Sequence, residues 1–379
     1  MAIKELPQSE TRPMTEEADF LQIRAIDHLE LWVGNAMQAA HFYRTAFGFR
    51  PVAYSGLETG ARDRASYVLE QGKIRLVVSA PYHPDSDMAA HHLMHGDGVK
   101  VIALQVDDVE LAYRETTARG AAGVQPPMEF KDDHGALRTA SIRIYGETLI
   151  KFVDRDDYTG PFAPGYRAPR TEHRVQPAGL LEIDHIVGNV QLGKMNTWVN
   201  FFHRVMGFRQ LIHFDDKDIS TEYSALMSKV MQNGDGRVKF PINEPAEGKK
   251  KSQIEEYLDF YHGPGVQHIA LRTEDIITSV RQLRDAGVEF LRVPHSYYEM
   301  LPDRVGSINE PVDALEELGI LADRDDEGYL LQIFTKPVQD RPTLFYEVIE
   351  RHGSRGFGKG NFKALFEAIE REQALRGNL

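Results

Sequence analysis

The stretch GVQHIAL, at residues 265–271, occurs a second time in this chain with two substitutions. The other copy, at 98–104, reads GVKVIAL, with lysine and valine at the positions of Gln267 and His268. Each copy has the apolar, β-branched composition of a buried strand. A polar pair in only one of two buried strands raises the question of what chemistry the second copy carries.

The repeat extends outward from this strand on both sides. Residues 26–52 and 183–211 both begin Ile-Asp-His and both contain Gly-Phe-Arg near their ends. Apolar residues at helical spacing between 198 and 206 predict a helix that stops at Gly207. Self-similarity over stretches of this length indicates an internal duplication.

The repeated segments predict an α+β fold of two tandem domains. Each domain is expected to hold a pair of βαβββ modules that form an open half-barrel around a core helix. A stretch rich in proline and glycine separates the halves and predicts a linker. The expected divisions are an N-terminal metal-free domain at 1–157, the linker at 158–179, and a C-terminal catalytic domain at 180–379 with a terminal helix at about 360–377, for which Asn361 is the expected cap.

Composition narrows the classes of function. The chain has 379 residues, 42% of them hydrophobic, a formal net charge of −13 and no cysteine. Thiolate catalysis and zinc–sulfur sites are therefore excluded, and a metal would need His, Asp or Glu ligands. The acidic balance argues against nucleic acid or an anionic membrane as a partner. Together with a polar N-terminal segment, these features fit a cytoplasmic enzyme and equally any other cytoplasmic globular protein.

Ligand-type residues differ between the two halves. Using the dipeptide Thr-Leu to align the last strands, the matched positions are His28 with His185, Val101 with His268, and Phe152 with Glu347. Two imidazoles and one carboxylate are the facial ligand set of non-haem iron(II). Glu347 could instead be the polar face of a strand, but an unpaired buried carboxylate costs about 1–3 kcal/mol or more. We interpret His28 as a relic or a structural residue.

Four stretches carry a resemblance to a known family: GVQHIAL at 265–271, LLQIFTKP at 330–337, LFYEVIER at 344–351 and GFGKGNFKALFEAIE at 356–370. The chain resembles the vicinal oxygen chelate superfamily and, within it, the 4-hydroxyphenylpyruvate dioxygenase family, over essentially its whole length. The resemblance implies one iron(II) per subunit, bound by His185, His268 and Glu347. It also implies a substrate pocket that contains Ser228, Pro241, Asn243, Gln253, Gln267, Gln332, Phe334, Phe345 and Phe362.

The same resemblance implies roles and partners. Gln267, Gln332 and Phe334 would act in catalysis, Phe334 and Phe362 would enclose the substrate ring, and the terminal helix would be a lid. The implied reaction converts 4-hydroxyphenylpyruvate and O2 to homogentisate and CO2 in tyrosine catabolism, in a homo-oligomer that is a dimer or a tetramer. Three alternatives stay open: a hydroxymandelate synthase with the same substrate and iron site, a non-enzymatic binding protein of the same fold, and an extradiol dioxygenase.

Overall fold

The computed structural model describes residues 19–169, 174–214, 225–246 and 248–378. Within these residues the chain forms two mixed sheets of eight strands each, one after the other along the sequence. The predicted α+β class and the tandem arrangement are confirmed. Among the described residues, no helix is both long enough and apolar enough to cross a membrane.

The strands divide evenly between the sheets. Those of the first sheet are β1 (Ile23–Trp32), β2 (Arg50–Ser55), β3 (Arg64–Gln71), β4 (Ile74–Pro81), β5 (Gly98–Val106), β6 (Ala122–Asp132), β7 (Gly135–Arg143) and β8 (Leu149–Asp154). Those of the second sheet are β9 (Glu182–Asn189), β10 (Arg209–Phe214), β11 (Ala225–Gln232), β12 (Lys239–Ala246), β13 (Gly265–Arg272), β14 (Leu321–Arg324), β15 (Tyr329–Phe334) and β16 (Phe345–His352).

The α-helices connect these strands and end the described chain. They are α1 (Ala36–Ala46), α2 (Asp87–His95), α3 (Val109–Ala118), α4 (Met195–Met206), α5 (Gln253–Tyr261), α6 (Ile276–Asp285), α7 (His295–Glu299), α8 (Leu301–Val305), α9 (Val312–Leu318) and α10 (Phe362–Leu375).

The two sheets have the same topology. The strand order is β2-β3-β4-β1-β5-β8-β7-β6 in the first and β10-β11-β12-β9-β13-β16-β15-β14 in the second. Each sheet thus contains two modules of strand, helix and three strands, as the repeat predicts. The central strands β5 and β13 are the two copies of the repeated heptapeptide.

Side-chain alternation separates a helix-packed face of the second sheet from the opposite face. On β12, Phe240 packs against Phe202 of α4 with ring centroids 5.3 Å apart. Because neighbouring side chains on a strand point to opposite faces, Pro241 and Asn243 face away from α4. The polar side chains of the candidate site belong to this second, inner face.

The two halves share one apolar core. Tyr346 of β16 lies against Phe47 of the first half, with ring centroids 5.0 Å apart. Its hydroxyl donates a hydrogen bond of 2.9 Å to the hydroxyl of Tyr43 in α1. In the opposite direction, Tyr145 of the first half packs on Trp198 of α4 at 5.8 Å. The halves therefore bury their aromatic side chains against each other.

One local expectation was wrong. Asn361 precedes α10, but its side chain does not cap the helix. Its Oδ1 accepts hydrogen bonds from the Tyr297 hydroxyl at 2.6 Å and from Arg304 at 3.2 Å. The amide therefore ties the start of α10 to the segment around α7 and α8, and this contact replaces the cap.

Candidate metal centre and substrate pocket

His185 of β9, His268 of β13 and Glu347 of β16 converge on the inner face of the second sheet. Glu347 Oε2 lies 3.2 Å from His185 Nε2 and 3.5 Å from His268 Nε2. Atoms that share one metal ion at about 2.1 Å lie about 3 Å from one another. Three chain segments far apart in sequence therefore present a ligand set of the right size for a single ion.

A β-bulge orients the first histidine. His185 pairs with Ala270 and Ile183 pairs with Leu271, so Asp184 is an extra residue in β9. The bulge turns Asp184 towards the same side as His185, and its Oδ1 accepts the Nδ1 hydrogen of His185 at 2.7 Å. The lone pair of His185 is thereby directed onto Nε2, towards Glu347.

A second bulge does the same for the other histidine. Val266 pairs with Gly188 and His268 with Val187, which leaves Gln267 as the extra residue in β13. Gln267 Oε1 lies 3.0 Å from His268 Nδ1 and accepts its hydrogen. Gln267 Nε2 in turn lies 3.5 Å from Oε1 of Gln253, the first residue of α5.

The charges at the centre depend on one another. Burial alone would raise the pKa of Glu347, but His185 and His268 outweigh burial and lower it. Burial opposes the charge of His185, yet Glu347 and Asp184 raise its pKa. Burial lowers the pKa of His268, and Glu347 offsets only part of that shift. A buried carboxylate held between two imidazoles calls for a cation.

The first sheet retains half of this arrangement. Asp27 occupies a matching bulge before His28, and Arg155 donates to both oxygens of the Asp27 carboxylate, through Nε and Nη2. Arg351 holds Asp184 in the same bidentate way in the second sheet. His28 therefore keeps its orienting carboxylate, in agreement with a structural role.

The alignment of Phe152 with Glu347 was wrong by one residue. Glu347 pairs with Ala270 across β13 and β16, and the matching partner of Ala103 across β5 and β8 is Lys151. A cation, not an apolar ring, thus takes the place of the carboxylate ligand in the first sheet. A one-residue slip in a strand exchanges its two faces, which is why the dipeptide anchor misassigned the position.

A polar row on the inner face leads away from the centre. Ser228 pairs with Phe214 on one side and with Asn243 on the other, and Asn243 pairs with Asn189 of β9. Directly paired side chains lie on one face, so Asn189, Asn243 and Ser228 form a polar row across three strands, which ends against Phe214 of β10. Pro241, two residues before Asn243, faces the same side. Sequence reasoning missed Asn189, although both of its amide atoms are buried without a hydrogen-bond partner.

Aromatic rings surround His268. Phe345 stacks on its imidazole at 4.8 Å and Phe334 meets it edge-on at 6.0 Å. Phe362 lies elsewhere, against Phe214 at 5.0 Å, and none of the ring contacts in the described part of the chain joins it to Phe334. The enclosure of a substrate ring between Phe334 and Phe362 stays a prediction, since two rings on opposite sides of a substrate need not contact each other.

Gln332, like Asn189, is a buried amide without a hydrogen-bond partner. It lies two residues before Phe334 on the inner face of β15 and is 1% exposed. Both atoms of its amide group lack a hydrogen-bond partner. Buried amides are nearly always hydrogen-bonded, so a ligand is the natural partner of this one. Its neighbour Gly358 approaches so closely that a Cβ there would lie 2.3 Å from Gln332 Nε2.

Comparison with known proteins agrees with this geometry. The model of the glyoxalase/bleomycin resistance protein/dioxygenase superfamily matches residues 25–157 and 182–333. A 4-hydroxyphenylpyruvate dioxygenase from Dictyostelium discoideum is 48% identical over 94% of this chain and 100% of its own length. The chain belongs to the 4-hydroxyphenylpyruvate dioxygenase family. A dioxygenase of the same name from Xenopus tropicalis is 48% identical over 93% of this chain and 92% of its own.

One solved structure is similar over the same span. It is a variant of 4-hydroxymandelate synthase from Streptomyces coelicolor, with a TM-score of 0.84, 33% identity, and coverage of 93% of this chain and 100% of that chain. This dioxygenase family and the synthase thus share the twin-sheet fold described above. The relatives that carry the dioxygenase name are the more similar in sequence.

Helix α10, which the resemblance to this dioxygenase family predicts to be a lid, is held at both ends. At its start, Arg304 donates to the Gly360 carbonyl at 2.9 Å. At its end, Arg376 donates to both oxygens of the buried Glu256 in α5, at 3.1 and 2.8 Å. A small cavity lies between α5 and α10, and its walls include Gln253, Gln267 and Phe345.

The segment before α10 is also tied to the metal centre. Arg351, which holds Asp184, donates to the Gly356 carbonyl at 2.7 Å. Phe357 packs edge-on against His185 with ring centroids 5.0 Å apart. The sequence carried a signal for Asp184 and Arg351, because Asp precedes His in both halves and an arginine lies at or next to the end of both last strands.

Proposed function

We propose that this chain is a non-haem iron(II) dioxygenase that converts 4-hydroxyphenylpyruvate and O2 to homogentisate and CO2. The observation that carries the proposal is the convergence of His185, His268 and Glu347 in a chain 46–48% identical to five dioxygenases of that name. The reaction combines oxidative decarboxylation, ring hydroxylation and side-chain migration. Both atoms of O2 enter products, one in the new carboxylate and one in the ring hydroxyl.

The donor set suits iron(II), one ion per chain. Two neutral imidazoles and one carboxylate on one face of an octahedral ion leave three positions open, enough for a chelating 2-oxo acid and O2. When bound, iron supplies the oxygen-activating chemistry and a template for the substrate. Decarboxylation of the substrate provides two electrons, so the reaction needs no separate reductant.

The chain's own residues prepare and shield the reaction. Asp184 and Gln267 hold the two imidazoles in the tautomer that presents Nε2. We propose that Gln332 and Asn189 donate to oxygens of the bound substrate, because their amide groups are buried without partners. Ser228 and Asn243 would hold the phenol end of the substrate, along the row that starts at Asn189.

Apolar side chains would exclude water from the reacting atoms. Phe334 and Phe345 already cover His268 from two sides. Phe362, carried by α10, would complete this wall from the Phe214 side of the pocket when substrate is bound. Gln253 supports Gln267 from α5, and Pro241 forms part of the floor below Asn243. Removing water protects the oxidising step from side reactions.

Oxygen uptake tests the proposal directly. Purified protein is given 4-hydroxyphenylpyruvate with and without added ferrous iron, and O2 consumption and CO2 release are followed. We expect uptake that depends on both substrate and iron, with homogentisate as product. Absence of uptake with iron fully bound would favour the non-enzymatic binding protein instead.

Product identity separates the remaining enzymatic rival. Hydroxymandelate synthase oxidises the benzylic carbon of the same substrate, and the synthase variant described above is similar to this chain in fold. Homogentisate and 4-hydroxymandelate are isomers, so chromatographic retention and proton NMR, not mass, distinguish them. Three aromatic protons without a benzylic methine identify homogentisate. An extradiol dioxygenase would open the ring, and all aromatic protons would be lost.

Several broader expectations are part of the same proposal. We propose the domain division at 1–157 and 180–379, with the linker at 158–179, of which residues 170–173 lie outside the described residues. We also propose a homo-oligomer, a dimer or a tetramer, and a cytoplasmic location, the latter supported by the acidic composition of the chain.

A further inference from the structure

A second group of metal-ligating side chains lies in the first half of the chain, away from the candidate iron centre. His91 and His95 are four residues apart in α2 and so lie on one face of that helix. Both are only 4% exposed. Glu147, in the turn before β8, meets them with Oε2, which is 2.6 Å from His91 Nδ1 and 3.7 Å from His95 Nε2.

The tautomer of His95 is set by the backbone. Its Nδ1 contacts the carbonyl oxygen of Tyr261 at the end of α5. A carbonyl only accepts hydrogen bonds, so Nδ1 carries the hydrogen and Nε2 carries the lone pair. That lone pair is buried, faces Glu147 and has no hydrogen-bond partner. A buried lone pair without a partner is rare and calls for a donor or a Lewis acid.

Lys100 is the present counter-ion of the group. Its Nζ lies 3.2 Å from Glu147 Oε2 and 3.2 Å from His91 Nδ1, and 4.7 Å from the ring of Trp32. Lys100 is the bulged residue of β5, the counterpart of Gln267 in β13. The ammonium group pairs with Glu147, but the Nε2 atoms of both His91 and His95 stay buried without a hydrogen-bond partner.

We propose that His91, His95 and Glu147 form a second cation site, selective for zinc-like divalent ions, for which the ammonium group of Lys100 competes. The three ligand atoms lie within 4.8 Å of one another. Ligands of tetrahedral zinc are about 3.3 Å apart, a spacing that small side-chain shifts reach from here. The Glu147 side chain is 43% exposed, so the fourth position opens to solvent water.

The ion would sit at a contact between the halves of the chain. His95 touches Tyr261 of α5, and Arg341 donates to the carbonyls of Met94 and Phe260 at 2.6 and 3.2 Å. Helix α5 begins with Gln253 in the pocket wall. Because the ion binds only the folded chain, it is expected to raise the melting temperature.

Metal counting on the iron-loaded full-length chain tests the proposal. The protein is dialysed against zinc chloride over a range of micromolar concentrations, and zinc and iron per chain are measured by atomic emission. We expect one zinc per chain with iron retained, and a higher melting temperature with zinc. Zinc uptake that occurs only as iron is lost, or no uptake, overturns the proposal.

Variants assign the site. His95→Ala and His91→Ala should lose the zinc while keeping the iron. The matched control is His92→Ala, on the same helix, whose imidazole is half-exposed and contacts Asp97 at 2.8 Å; it should keep the zinc. Lys100→Met removes the competitor and should tighten zinc binding at least tenfold. Unchanged zinc binding in His95→Ala overturns the site, and if that variant fails to fold, unchanged affinity in Lys100→Met overturns it.

Discussion

Lys151 lies opposite Ala103 in the first sheet just as Glu347 lies opposite Ala270 in the second. Equivalent positions on the inner faces of the two sheets therefore carry an ammonium group in the first sheet and a carboxylate in the second. Lys151 Nζ lies 3.7 Å from the buried Glu30. The pKa of His28 is lowered, first by the burial of its imidazole and also by the positive charge of Lys151. The first sheet thus holds a fixed positive charge where the second holds the carboxylate that we propose as a metal ligand.

Restoring the ligands should restore a metal site. In the double variant Val101→His with Lys151→Glu, His28 keeps its orienting Asp27 and gains the two missing ligands. We expect a second equivalent of iron, in addition to the one in the unmodified chain, and a melting temperature that rises on adding iron, because without a cation the introduced carboxylate would face Glu30 unneutralised. Val101→His alone is the control and should bind one equivalent of iron, since the Lys151 ammonium group still occupies the place of the carboxylate ligand. An identical metal count in both variants would contradict the structural equivalence.

The orienting carboxylate of His185 should affect metal affinity specifically. Asp184→Asn weakens the hold on Nδ1, and such changes typically lower metal affinity about 10- to 100-fold. Asp27→Asn is the matched control, because Asp27 makes the same contacts with His28 and Arg155 in the other sheet. Both variants should lose stability, but only Asp184→Asn should release iron to a competing chelator. An equal loss of iron from both would mean that the effect is global.

Loss of the carboxylate ligand should remove iron and activity together. Glu347→Ala leaves two imidazoles, too few for tight binding, so we expect iron content near zero and no O2 uptake. Glu350→Gln is the control on the same strand, because Glu350 accepts the backbone hydrogen of Ile276 at 2.8 Å and a glutamine can still do so. It should keep its iron. Turnover retained in Glu347→Ala would refute the three-residue centre.

The close approach of Gly358 to Gln332 should matter for turnover. Gly358 has φ +74, and Gly193 has the same φ with nothing within 4 Å of an added Cβ. Alanine at either position costs about 1–2 kcal/mol in backbone strain. Only Gly358→Ala also displaces the Gln332 amide. We therefore expect kcat/KM of Gly358→Ala to be about tenfold lower, or more, than kcat/KM of Gly193→Ala. Matching kinetics in the two variants would argue that Gln332 does not touch substrate.

The contact between α10 and α5 should control the mobility of the terminal helix. Arg376→Ala leaves the buried Glu256 without its bidentate partner and should speed amide hydrogen exchange throughout α10. Arg371→Ala, which removes only an exposed hydrogen bond to the Arg292 carbonyl, is the control. We expect a higher KM for 4-hydroxyphenylpyruvate in Arg376→Ala at unchanged iron content. Exchange rates equal to those of the control would show that this contact does not hold the helix.

The repeat was enough to predict the architecture and the three residues that converge in the second sheet. Strand composition and helical spacing identified the modules, and His185, His268 and Glu347 stood out because their counterparts were not all ligands. Strand register was less accessible from the sequence. The shared dipeptide matched Phe152 to Glu347, whereas the hydrogen bonding of β8 to β5 and of β16 to β13 shows that Lys151 is the true counterpart. The bulges at Asp184 and Gln267 have no signature in one sequence, because an extra residue in a strand is visible only beside its partner strand.

The position of Phe362 and the role of Asn189 were inaccessible for a different reason. Phe362 belongs to a helix whose placement depends on contacts at its two ends, with Arg304 and with Glu256, both far away in sequence. Asn189 lies in an apolar strand where one amide is unremarkable, and its importance comes from the absence of a hydrogen-bond partner around it. Tertiary packing, not local sequence, determines where Phe362 lies and whether the Asn189 amide has a partner.

The hydrogen bond between Tyr43 and Tyr346 has a consequence for how this protein evolved. Those hydroxyls are buried, and each would be stranded if the opposite half were removed. The first copy is therefore not a dispensable remnant but half of a single cooperative folding unit. Deleting it should yield insoluble protein, and heating the intact chain should produce one melting transition instead of two.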